Sequence, residues 1–223
     1  MFFYDTKREF EDPKTRLPNG LARDDEQRRV LMTIVAIWCR HEGDNVIGIG
    51  PQIPWHISSD FKRFKRITEG SAIVCGQTTY ESFPNRTLPN RQIYVLTFDE
   101  NYEVSDKKNH FALTGVNTLK DFEGVLYVSG GASIYKLFMT GESKLMPDIV
   151  VDCMYMGDLN PELKGPKIDI TPCIDAVKAK YVQMSQDYIE DNILTRVYVK
   201  KGDFVDQGVM KHIITAIENK GEK

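Results

Sequence analysis

The chain of 223 residues is poor in the features that mark several protein classes. Its four cysteines, Cys39, Cys75, Cys153 and Cys173, form no CxxC pair and stand beside no histidine at zinc spacing. Disulfide scaffolds and zinc modules are thereby excluded, and a reducing, cytoplasmic setting is expected. The four histidines, His41, His56, His110 and His212, are scattered, so no metal site is expected. No apolar run approaches the ~18 residues a membrane helix needs, and the first residues lack the charged-then-apolar order of a signal peptide, so no membrane association is expected. Positive charge is not in excess: 29 Lys and Arg face 32 Asp and Glu, a formal charge of -3, which argues against a nucleic-acid partner. GxGxxG, the GxxxxGK[ST] P-loop and the GxSxG elbow are all missing, which disfavours a Rossmann fold, a P-loop enzyme and an esterase-type hydrolase.

What is present is ordinary globular composition, 41% apolar and 27% charged, in a length that fits one large domain with appendages. Residues 1–31 mix acidic side chains (Asp5, Glu9, Glu11, Asp12, Asp24, Asp25, Glu26) with basic ones and are broken by Pro13, Pro18 and Gly20, which reads as a charged N-terminal extension. At Thr33 the chain turns abruptly apolar (TIVAIW), and similar runs follow at 72–75, 92–97, 125–129, 149–154 and 193–199, with weaker ones at 110–113 and 181–184. Continuous apolar runs suit strands buried on both faces, and eight of them with intervening helices predict an α/β domain over 32–200. Within 201–223 a stripe of Val205, Val209, Met210, Ile213, Ile214 and Ile217 predicts an amphipathic helix docked on its own domain.

The clearest helix is expected to open at Ser58 or Ser59 as cap, with Ile57, Phe61, Phe64 and Ile67 on one apolar face and Lys62, Arg63, Lys65 and Arg66 wet. Asp60 then stands in its first turn at the edge of the apolar face. It is either a solvated helix-start carboxylate or a desolvated binding and proton-relay group. The preceding segment, VIGIGPQIPWHISSD, is a glycine- and proline-rich loop of the kind that covers ligands, and its Trp55 can present an indole N–H. VSGGASIY (128–135) is a strand, two glycines and a helix start, suited to an anion, and Thr78 and Thr79 of GQTTYESF lie just past another strand.

VIGIGPQIPWHISSDFKRFKRIT, GQTTYESFPNRTLPNRQIYVLT and YVSGGASIY, in this order and spacing, resemble the dihydrofolate reductases over roughly residues 32–200. The resemblance implies an eight-stranded, mostly parallel sheet with flanking helices and an antiparallel C-terminal strand. It implies reduction of dihydrofolate to tetrahydrofolate by NADPH, with hydride passing to C6 of the pterin. By position, Asp60 matches the pocket carboxylate that holds the pterin's N3 and 2-amino group, Ile53 the lid residue, and Trp55 the indole that holds a water. Ile37, Phe61, Phe64, Phe83 and Leu88 match the apolar walls, and Arg91 the arginine for the folate's glutamate carboxylate. The cofactor side is implied along Ile47, Gly48, Gln77, Thr78, Thr79 and Thr97, and along Gly130, Gly131, Ala132, Ser133, Ile134 and Tyr135, with the Gly130-Gly131 peptide cis.

Three departures stand out. Gln77-Thr78 replaces the basic residue many members use for the cofactor's 2'-phosphate, Phe98 replaces a small polar residue, and Asp152 falls near where a threonine usually supports the pocket carboxylate, unless the register slips there. Two other readings compete. One is a related reductase of a pyrimidine intermediate in flavin synthesis, which is not expected to carry Pro54, Trp55 and Asp60 together. The other is a catalytically silent binding or structural module. The oligomeric state, monomer or dimer, is open.

Overall fold

A computed structural model describes residues 32–141, 143 and 145–219; the expected extension at 1–31 and the last four residues of the C-terminal segment lie outside the described residues. The first apolar run forms β1 (Met32–His41), the sheet's central strand. Then come β2 (Val46–Ile49), β3 (Ala72–Gly76), β4 (Gln92–Leu96), β5 (His110–Leu113), β6 (Gly124–Val128) and β7 (Ile149–Tyr155). The chain continues with β8 (Lys167–Asp169), β9 (Tyr181–Gln183), β10 (Tyr188–Glu190) and β11 (Ile193–Lys200). The helices are α1 (Ser58–Thr68), α2 (Gln77–Ser82), α3 (Ala132–Met139), α4 (Thr171–Lys180) and α5 (Gln207–Glu218). Among the described residues no helix is long and apolar enough to cross a membrane.

The main sheet runs in the order β10-β11-β7-β1-β6-β3-β4-β5, with β9 also paired to β11, making nine strands. The pairings from β7 across to β5 are parallel, while β11 is antiparallel to β7, β9 and β10. All eight expected strands lie in this sheet; β10 is the ninth. Two further strands, β2 and β8, pair with each other, so the segment expected to be loop from Val46 onward begins as a strand. β2 (VIGI) is four residues broken by a glycine and β8 (KID) three with a charge at each end, which leaves no long apolar run to read.

Both sheet faces are covered, which explains why the central strands are apolar throughout. Ile34, Ala36, Trp38, Val74, Val128 and Val150 pack against α3 and α4. Val35, Ile37, Ile73, Tyr127, Val151 and Val197 pack with Ile67 of α1 and with Ile213 and Ile217 of α5. The helix α4 escapes a periodicity reading because only Cys173, Ile174 and Val177 are buried in it, too narrow a stripe to stand out. The C-terminal helix opens with Asp206, whose carboxylate accepts from the backbone N–H of Gly208 and Val209, and it packs on α1. Arg66 Nε donates to Ala216 O at 2.9 Å, and His212 Nε2 meets Ile67 O at 3.0 Å.

Two expectations for α1 fail. Its N-cap position is Ile57 with no side-chain cap, and Ser59 is buried instead of capping, its hydroxyl without a partner among the described residues. Arg63, expected in water, is 2% exposed. At 3.6 residues per turn it stands one turn before buried Ile67, on the side toward β10, where Glu190 receives it.

Candidate active site

One cleft of about 1980 Å³ opens between α1, the loop after β2, and the C-terminal ends of β3, β4 and β6. That is larger than the ~300–1,000 Å³ usual for a single small ligand, room enough for two. Every residue that the resemblance assigns to substrate or cofactor lines it, and Asp152 does not.

In one arm, Asp60 stands on α1 with its side chain 20% exposed. Ile37 and Cys39 of β1 and Cys153 of β7 floor the arm, and Phe61, Phe64, Phe83 and Leu88 wall it. Phe61 is 48% exposed, an apolar ring facing the open cleft where the sequence pattern suggested core. Burial pushes the Asp60 carboxyl above its ordinary range, while the Arg63 guanidinium and the Cys39 thiol hydrogen bond pull it back down. Burial also drives the Cys39 thiol well up and the Cys153 thiol up to about 12, so both stay protonated.

Arg91 sits at the far end of this arm, 6% exposed. Its Nε donates to Thr68 Oγ1 at 2.9 Å, Nη1 to Pro89 O at 2.9 Å and Nη2 to Lys65 O at 3.1 Å. Those bonds aim the guanidinium and use three of its five N–H groups, leaving two for a carboxylate. Burial lowers its proton affinity and Glu69 opposes that.

Over the cleft lies the loop of Ile53 and Trp55. Ile53 is 51% exposed at the rim, and the loop is strapped by Gly50 N–H to Pro166 O at 3.0 Å and Asn160 N–H to Pro54 O at 2.9 Å. Trp55 is buried against Tyr155, ring centroids 5.1 Å apart, and its indole N–H has no partner among the described residues. A polar atom entering the cleft would satisfy it.

In the second arm Gly76, Gly130 and Gly131 bring two strand-to-helix turns together, with Gly76 N–H donating to Gly130 O at 2.8 Å and the Gly130-Gly131 peptide cis. Side chains are excluded there: a Cβ on Gly131 would meet Thr79 Oγ1 at 3.2 Å, one on Gly76 would meet Ile134 at 3.1 Å, and Gly130 has φ +120°. Ala132 and Ser133 open α3, and Ser129 Oγ is buried without a partner among the described residues. Together with Thr78 and Thr79, these groups make a narrow, donor-rich cradle suited to a dinucleotide's phosphates. Ile47 and Gly48 of β2 line the junction of the two arms. Tyr135 faces inward instead, its hydroxyl donating to Ile37 O at 2.7 Å and latching α3 to β1. Gln77 is committed within the protein: its Oε1 accepts from Thr97 Oγ1 at 2.7 Å and its Nε2 donates to Glu81 at 3.1 Å. Phe98 is fully exposed at the rim, and Lys120 is the cation lining this arm.

Asp152 does not face Asp60. In register it pairs with Trp38, and Cys153 pairs with Cys39, so alternation along β7 puts Cys153 at the cleft floor and Asp152 on the opposite face. There it accepts from Trp38 Nε1 at 2.7 Å and from Arg40 Nε and Nη2, both at 2.9 Å. Asp60 is therefore not faced by a second carboxylate from β7.

Sequence reasoning missed Arg63, whose Nη1 lies 3.4 Å from Asp60 Oδ1 and whose Nη2 lies 2.9 Å from Glu190 Oε2. The i,i+3 spacing of Asp60 and Arg63 was the available signal.

A family model for dihydrofolate reductase matches residues 33–169. The dihydrofolate reductase of Staphylococcus aureus (strain Mu50 / ATCC 700699) is 29% identical over 133 residues, covering 59% of this chain and 74% of that protein. That of Staphylococcus haemolyticus is 32% identical over 120 residues, covering 54% and 66%. Dihydrofolate reductase from Enterococcus faecalis, solved in complex with NADP(H) and RAB-propyl, superposes with a TM-score of 0.59 at 23% identity, over 76% of this chain and 96% of that one. At that identity the superposition speaks to the fold.

Proposed function

Because the chain belongs to the dihydrofolate reductase family, we propose that the two arms of its cleft hold dihydrofolate and NADPH with their reacting rings meeting at the junction by Ile47 and Gly48. The chain is an NADPH-dependent oxidoreductase that reduces dihydrofolate to tetrahydrofolate. The observation that carries our assignment of the arms is that one cleft is lined both by a buried carboxylate and arginine and by a glycine cradle.

The cradle of Gly130, Gly131, Ala132, Ser133 and Ile134, with Thr78, Thr79 and Thr97, holds the cofactor. NADPH bound there supplies the hydride for C6 of the pterin. Asp60 accepts from the pterin's N3–H and 2-amino group, which fixes the ring and raises the basicity of N5. Its carboxylate faces N3, so the N5 proton comes from solvent admitted under Ile53, whose rim position lets it open and close over the ring. Trp55 offers its unpaired N–H near Asp60. Ile37, Phe61, Phe64, Phe83 and Leu88 exclude water from the pterin and its aryl linker, and Arg91 offers its two spare N–H groups to the glutamate carboxylate. The four cysteines are all free thiols, which supports a reducing, cytoplasmic setting.

The test is NADPH oxidation followed by absorbance with dihydrofolate as substrate. Turnover that needs both reactants is expected. A well-folded chain that binds both without turnover is a silent module, and one that turns over only an aminopyrimidine ribosyl substrate is the flavin-pathway enzyme.

A further inference from the structure

Two carboxylates reach Arg63 from opposite sides. Asp60 lies one turn earlier on α1, and Glu190 comes from β10, distant in sequence. The guanidinium is 2% exposed, a burial that only anionic partners make tolerable. Burial disfavours its charge, yet the Asp60 and Glu190 carboxylates on either side hold it above its ordinary range, so it is a fixed cation. The fork is unequal. Nη2 makes a short contact with Glu190 at 2.9 Å, while Nη1 stands 3.4 Å from Asp60. A closer contact would occupy the Asp60 oxygens, whereas this one leaves them free for a ligand and still supplies positive potential.

Resting on the reading of Asp60 as the pterin-binding carboxylate, we propose that Arg63, clamped by Glu190, is a positioning residue that aims Asp60 into the cleft and keeps it ionised.

The other titratable groups that interact with this carboxylate are Cys39 from β1, Cys153 from β7 and Tyr135 from α3; His56 of the covering loop lines the same cleft, and Asp152 lies on the far face of the sheet, where it acts on the two thiols. Of all these with Arg63 and Glu190, Arg63 alone is a permanent cation. Thiols and phenol stay neutral and Asp152 is matched by Arg40, so the balance on Asp60 is set by burial against Arg63 and the Cys39 hydrogen bond, with Glu190 drawing part of the Arg63 cation away.

The consequence has a sign. Activity is lost as pH falls through the Asp60 pKa, so removing the cation moves that acid limb to higher pH, and removing the competing anion moves it to lower pH. The experiment is the pH dependence of kcat/KM for dihydrofolate in the parent, Arg63→Met, Arg63→Lys and Glu190→Gln, with melting temperature and NADPH affinity as controls. In Arg63→Met the limb should rise by about one pH unit, at the low end of the roughly 1 to 3 units a close opposite charge supplies. Lysine should restore most of that, and Glu190→Gln should shift the limb downward. NADPH affinity should hold in all, because the cradle is in the other arm. A merely structural Arg63 would lower stability and rate while leaving the limb in place, and that result overturns the proposal. If Arg63→Met does not fold, Glu190→Gln decides: an unmoved or rising limb overturns it. A parent without dihydrofolate turnover overturns the functional reading itself, a different outcome from an active parent whose limb does not respond.

Discussion

Replacing Asp60 by Asn separates a binding carboxylate from a helix-start ornament. The helix should survive, because the N-cap position is Ile57 and no capping bond runs through the Asp60 side chain. The catalytic loss has two parts. Two charge-assisted hydrogen bonds, to the pterin's N3–H and 2-amino group, are each worth about 1.5–3 kcal/mol against about 0.5–1.5 for neutral ones. In addition, an amide turns its NH2 toward one of those donors, leaving a buried polar group unmet at about 1–3 kcal/mol. Together these come to roughly 3–5 kcal/mol, or about 10² to 10⁴ in kcat/KM, the range typical of general acid-base assistance. Residual activity should recover as pH falls, solvent protons replacing the lost polarisation of N5. Stability should move the other way. Burial raises the Asp60 carboxyl, so its ionised form is disfavoured by folding, a penalty present above the folded-state pKa and gone below the unfolded one. Asn removes it, and because Glu190 still holds Arg63, the variant should melt no lower than the parent at pH 7. NADPH oxidation across pH and circular-dichroism melts measure both. A normally folded variant within about threefold of the parent at pH 7, well short of that acid-base range, would refute the assignment.

Three further outcomes are expected. A chain ending at Lys200 should lose stability and solubility, and the single change Ile213→Ala, at a fully buried position between α5 and α1, should cost about 2–5 kcal/mol by thermal unfolding; an unchanged melting temperature would make α5 an ornament. With Gln77 committed to Thr97 and Glu81, the preference for NADPH over NADH should stay below about a thousandfold in kcat/KM, roughly 4 kcal/mol. Lys120→Met should lower the NADPH value by up to about fivefold, and an equal fall with NADH would show that Lys120 does not sense the 2'-phosphate. Arg40→Met should destabilise by about 3–5 kcal/mol in urea unfolding by stranding buried Asp152, and Asp152→Leu in the same chain should recover part of that.

The legible part of the molecule was its apolar part. Runs such as TIVAIW and IVVDCM are strands because both sheet faces are covered, and burial alone dictates their composition. The glycines at 130 and 131 were readable for a related reason, since Gly130 takes φ +120° and a Cβ on Gly131 would crowd Thr79. What escaped depends on pairing between distant segments. β2 and β8 are strands only through each other, and β10 only through β11. Arg63 looked solvent-bound because its partner Glu190 cannot be located from the helix alone. Asp152 was misplaced by one position, and a slip of one residue in a strand exchanges its two faces.

The docking of α5 behind α1 has a consequence for biosynthesis. Most residues of the cleft precede Tyr135, and Cys153 completes the floor of the Asp60 arm, yet Arg66 waits for Ala216, 150 residues downstream, before its helix is backed. At about 5–20 residues per second that gap is roughly 8 to 30 s. Throughout it Ile67 and the sheet face beneath lack their cover, so the nascent chain presents a greasy surface to chaperones and proteases until α5 has been made. A message truncated before α5 therefore yields a polypeptide with every catalytic side chain present and no lasting support beneath the one that matters most.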